Sequence, residues 1–153
     1  MDTLLATARS SVALRLRPMR HRTESEQDQL TNYVLGYFSH LATDFEHDLM
    51  LSLNLDHKAV LSDSPIMKHK LGEERDEIIA RITKPEVLAL LPLGRDECFR
   101  RIRDRILKDH TDEVFFNRCP KCRKLARTPV AQMCPHCGNT WYDKHPGQAE
   151  TKT

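Results

Sequence analysis

Four cysteines near the end of the chain constrain its fold more than any other feature. They stand in "NRCPKCRKLARTPVAQMCPHCGNTW", residues 117–141, as two Cys-Pro-X-Cys pairs separated by eleven residues. Two residues between cysteines let one tight turn aim both sulfurs at a single ion, and zinc prefers four such ligands in a tetrahedron. Cys119, Cys122, Cys134 and Cys137 are therefore expected to hold one structural Zn2+. A segment of about 30 residues cannot bury an adequate core, so the metal is expected to supply most of its folding free energy. The spacer "RKLARTPVAQM" has room for two short strands with a turn near Thr128-Pro129, which predicts a β-hairpin. Phe115-Phe116 and Trp141-Tyr142 flank the cysteines and are expected to pack over it.

The two knuckles, "CPKC" and "CPHCG", resemble those of zinc ribbons and rubredoxin-like proteins, and the assembly is similar to the C-terminal ribbon of small uncharacterised bacterial proteins. The resemblance covers only about residues 114–143. It implies zinc, with iron in a rubredoxin-like centre as the alternative. It also implies a range of roles, from transcription factors and ribosomal proteins to adaptors, and does not choose among them. Arg123 stands where such knuckles commonly carry glycine, as Gly138 does in the second, so the first turn is expected to be less tight. The spacer is also shorter than the ~15–20 residues usual between two such pairs.

A fifth cysteine, Cys98, lies on an apolar helical face, so the cysteines do not read as a disulfide framework. That usage belongs to a reducing compartment, and a cytoplasmic protein is expected. No run approaches the ~18 apolar residues of a membrane span. The longest apolar cluster, "VLALLPL" at 87–93, contains a proline.

Between the ends the chain reads as helices. Thr23 and Glu26 form a capping-box pattern. Leu30, Tyr33, Val34, Tyr37, Phe38, Leu41, Phe45 and Leu49 then recur at three- and four-residue steps, predicting one long amphipathic helix. A break and a second short helix are expected in "LSLNLDHKAVLSDSP". Ser64-Pro65 reads as an N-cap and a first helical residue, opening a helix that Gly72 is expected to split. Pro85 opens a short apolar helix, and Arg95–His110 forms a last one, with Cys98 inside and Arg100, Arg101, Arg103, Asp104 and Arg105 outside. The predicted fold class is mostly α: a small helical bundle over 23–113, with a four-cysteine zinc-ribbon β-hairpin module at 114–143. A basic arm at 1–22 precedes the bundle and a polar tail at 144–153 follows the ribbon. No internal repeat is evident.

Charge divides the same way. Residues 1–22 carry five Arg against one Asp, the helical middle 12 Lys/Arg against 19 Asp/Glu, and residues 114–144 six Lys/Arg against one Asp. On the ribbon, Lys121, Arg123, Lys124 and Arg127 make a basic surface, with Trp141 or Tyr142 as a candidate stacking platform. His40, Asp44 and His47, at i, i+4 and i+7, are candidates for a second metal or for acid–base chemistry. The competing reading is a polar margin beside the apolar stripe, and it is preferred. No glycine-rich phosphate loop, nucleophile elbow or zinc-hydrolase motif is present. The sequence therefore points away from an enzyme and toward a zinc-binding adaptor. Its basic ribbon is expected to meet a protein partner, with nucleic acid as the alternative and no membrane partner.

Overall fold

The computed structural model describes residues 25–142; the expected basic arm and polar tail, and the Thr23 cap, lie outside them. Five α-helices are described: α1 (Glu26–Tyr37), α2 (Asp44–Leu61), α3 (Pro65–Arg81), α4 (Pro85–Leu88) and α5 (Arg95–Asp109). None is long and apolar enough to cross a membrane.

The first helix begins at Ser25, not Thr23. Ser25 Oγ accepts from the Asp28 amide, and Asp28 accepts in return from the Ser25 amide, a reciprocal cap. The single long helix expected here is broken. A 3-10 turn at Ser39–Leu41 separates α1 from α2, and Thr43 with Glu46 caps a new start. The apolar period continues through the break because both helices present that stripe to one core. The caps, rather than the period, decide where the chain turns. The expected break after Leu49 is absent, and α2 runs on to Leu61. Ser64 caps α3 through the Met67 amide, with Pro65 in its first turn, as expected. Gly72 does not split the helix.

The core gathers Tyr33, Val34 and Phe38 from the α1 end, Leu49 and Leu53 from α2, and Cys98, Ile102 and Ile106 from α5, with Ile82, Val87 and Val114 closing it. Cys98 is fully buried, and its thiol donates to the Leu90 carbonyl at 2.7 Å, which makes it the structural residue its helical position predicted. Burial first, and the Glu97 carboxylate second, push that thiol's pKa up. The helix α3 packs along α2, with Ile78 and Leu55 buried on this hairpin.

Two arginines expected on the outer face of α5 point inward. Arg103 is 5% exposed and donates to the Gln27 carbonyl, Gln27 Oε1 and Thr31 Oγ1, tying α5 to α1. Arg105 grips both carboxylate oxygens of buried Glu46 at 2.6 Å and donates to the Leu41 carbonyl, tying α5 to the start of α2. Glu46 also accepts from the Thr43 amide at 2.8 Å. Periodicity misplaced both residues because a guanidinium can satisfy several buried carbonyls at once, which lets a charge sit where an apolar residue is expected.

Candidate metal centre

Past α5 the chain crosses Val114, buried in the core, and enters the cysteine segment. No β-hairpin forms across the spacer. Each Cys-Pro-X-Cys pair instead closes its own small loop around a single antiparallel bridge, Arg118 with Leu125 and Met133 with Thr140. The hydrogen bonds repeat from one loop to the other fifteen positions on. Cys119 N–H donates to Lys124 O and Arg123 N–H to Cys119 O; Cys134 N–H donates to Asn139 O and Gly138 N–H to Cys134 O. Ala126 N–H donates to Asn117 O as Trp141 N–H donates to Gln132 O. This is an internal structural duplication that sequence comparison missed, because only the two Cys-Pro-X-Cys cores are alike. A hairpin fails here because the spacer's central residues serve other bonds. The Asn117 side chain donates to the carbonyls of Thr128 (3.0 Å) and Ala131 (2.8 Å) and holds the spacer as an irregular strap.

Arg123 adopts φ 64°, beside 69° at Gly138. The first turn is therefore as tight as the second, contrary to expectation, and arginine bears the left-handed conformation that glycine adopts freely.

The four sulfurs converge. Cys119 and Cys137 lie 3.6 Å apart, Cys122 and Cys134 3.5 Å, and all four fall within 4.8 Å of one another. A zinc tetrahedron with arms of about 2.3 Å has edges of about 3.8 Å, so the set fits one such ion. These separations are far beyond a disulfide bond, and the cysteines are free. Backbone amides turn inward: Cys122 N–H faces Cys119 Sγ at 3.5 Å, and His136 N–H faces Cys134 Sγ at 3.4 Å. Burial pushes the Cys119 thiol up, but the amides of Cys122 and Lys121 outweigh it and hold the thiol down at about 6. Burial likewise opposes ionisation of Cys134, and the amides of Cys137 and His136 win there too. The Lys124 amide favours the Cys122 thiolate, but burial and the neighbouring sulfurs overcome it and raise that thiol to about 11. Two thiols thus lose protons readily while a third keeps its own. This is the repulsion expected when anions crowd one site, and a divalent cation would relieve it.

The site is docked on the helices through Tyr33. Its hydroxyl donates to the Phe115 carbonyl and accepts from the Asn117 amide, both at 3.1 Å. Phe115 stands edge-on to Phe38 with centroids 5.7 Å apart, and Phe116 lies 6.1 Å from Tyr33. The two phenylalanines therefore pack against α1 rather than over a hairpin. On the other flank Trp141 is half-buried and Tyr142 exposed.

Lys121, Arg123, Lys124 and Arg127 are all exposed, and none pairs with a carboxylate of the helical body among the described residues. Between α1 and the two loops runs a cleft of about 490 Å³, walled by Asn32, Tyr33 and Tyr37 on one side and by Leu125, Arg127 and His136 on the other. Sequence reasoning counted Tyr37 among the core stripe and missed its place here. Only the helix end after Tyr37, which turns the ring out of the core, reveals it. The candidate set His40, Asp44 and His47 does not assemble. His40 sits in the 3-10 turn, Asp44 and His47 lie on α2, and all three are exposed. Among the described residues the four cysteines form the group able to hold a metal ion. No family model, curated protein or solved structure matches the chain.

Proposed function

We propose that the protein is a non-enzymatic binding or adaptor protein whose C-terminal module is a zinc ribbon built on one structural zinc ion. Cys119, Cys122, Cys134 and Cys137 would supply four thiolates, leaving no open position for a substrate or an activated water. The ion, when bound, locks the two loops together, and this small segment depends on that because its own core is minimal.

The convergence of the four sulfurs carries the reading. What the module does with its rigidity follows from its surface. Among the described residues, Lys121, Arg123, Lys124 and Arg127 pair with no carboxylate of the acidic helical body, which leaves their charge to an anionic partner. Exposed Val130, Met133 and Tyr142 on the same module add apolar contact area and favour a protein with an acidic face. The cleft beside α1 favours nucleic acid as the second reading.

Metal analysis of the purified full chain tests the centre: one zinc per chain is expected, and a stoichiometry near zero rejects it. Affinity capture with the intact protein and with Lys121, Arg123, Lys124 and Arg127 changed together to Glu tests the surface. The partner should be lost while the zinc remains.

A further inference from the structure

We propose that the cleft between α1 and the two loops receives a single-stranded nucleic-acid segment, one base stacking on Tyr37 and the adjoining phosphate meeting Arg127. This rests on the second, nucleic-acid reading above and names the chemistry and seat of that ligand, in a cleft beside the surface offered to a protein.

Three features of the cleft carry it. Its volume of about 490 Å³ lies within the ~300–1,000 Å³ range of small-ligand sites, enough for a nucleoside. Tyr37, the last residue of α1, is 47% exposed and is braced from within by the Tyr33 ring at 5.8 Å. An exposed but braced ring is a stacking platform whose ordering cost is already met by folding. None of the described residues lining it is a carboxylate, whereas Arg127 and His136 both reach the wall. In a chain whose helical middle is acidic, a cleft whose described walls hold a guanidinium and no carboxylate selects an anion.

Arg127 belongs to the exposed group that includes Lys121, Arg123 and Lys124 on the first loop, so a strand seated at Tyr37 meets further cations beyond the cleft. An acidic peptide would satisfy the charges but leave the Tyr37 face without a matching group. A nucleotide supplies both a π-face and an anion in each repeat. The sequence alone offered Trp141 or Tyr142 as the platform; Trp141 is half-buried, and Tyr142, though exposed, is not among the described residues lining the cleft, where Tyr37 stands open.

The test is fluorescence anisotropy of the full-length, metal-analysed protein with labelled oligo(dT) and oligo(U) of about 12 nucleotides. Binding at about 50 mM salt should weaken about tenfold by about 200 mM. Tyr37→Ala should weaken it about tenfold, and Tyr37→Phe, which keeps the ring, should leave it near wild type. Arg127→Gln should weaken it and flatten the salt dependence. Wild-type affinity in Tyr37→Ala overturns the proposal. So does a protein with one metal per chain that binds neither oligonucleotide at low salt, or that binds poly-glutamate instead; the ribbon reading then survives without the cleft. A chain that lacks metal yet binds through Tyr37 keeps the cleft and removes the ribbon reading.

Discussion

Arg123 and Gly138 occupy equivalent places in the two cysteine loops and share a left-handed backbone, φ 64° and 69°. The loops differ in sequence at this point but not in shape. Each closes through the amide of the fourth residue after its first cysteine: Arg123 N–H to Cys119 O at 2.9 Å and Gly138 N–H to Cys134 O at 3.0 Å. The bond is worth enough to force arginine into a conformation that costs an L-residue roughly 1–2 kcal/mol.

Arg123→Gly should therefore stabilise the module by about 1 kcal/mol, part of the released strain being offset by glycine's greater freedom when unfolded. Gly138→Arg should cost about the same, since a Cβ there meets nothing within 4 Å and only the backbone is strained. Chelator competition for the bound metal measures both. A loss of affinity in Arg123→Gly contradicts the strain argument.

Removing the metal by chelation, or changing Cys119→Ser or Cys137→Ser, should release the two loops while the helices keep most of their far-ultraviolet signal. The chain's one tryptophan, Trp141, donates its amide to Gln132 in the second loop and reports that release by fluorescence. Collapse of the whole helical signal would show that the two parts stand or fall together.

Tyr33→Phe should lower stability by about 1–2 kcal/mol, because the hydroxyl bridges the Phe115 carbonyl and the Asn117 amide and its loss leaves both without that partner. Thermal unfolding gives the magnitude. Limited proteolysis near Asn117 gives the location: cleavage there should quicken more than cleavage in α2 or α3.

Glu46→Ala should cost about 3 kcal/mol by urea denaturation. It strands the Arg105 guanidinium, held by two 2.6 Å contacts, and removes half of the Thr43 cap. The double change Glu46→Leu with Arg105→Met should recover part of that loss, because no half-buried charge is then left alone. No recovery would mean that the pair itself, rather than the stranded charge, sets the cost.

The spacing of the cysteines and the caps at Ser64-Pro65 were readable directly because they are local: two residues between thiols, or a hydroxyl before a proline, act within one turn of chain. The period of Leu30 to Leu49 was also readable as a core-facing stripe. It did not show the break at Ser39–Leu41, because two helices facing one core carry the same stripe as one helix does. The spacer misled in the opposite way. Its length allowed a hairpin, but Asn117 claims the carbonyls of Thr128 and Ala131, a choice no alternation of apolar and polar residues records.

By itself the sequence determined that this chain builds helices around Cys98 and Ile102 and that four thiols near its end can meet at one ion, since both follow from spacing along the backbone. Tertiary structure decided the rest: that Arg103 and Arg105 turn inward, that Tyr33 fastens the cysteine loops to α1, and that Tyr37 faces a cleft beside Arg127. Those are meetings of residues far apart in the chain. Their free energies depend on which carbonyls, carboxylates and rings arrive opposite them, and that is fixed only when the helices pack.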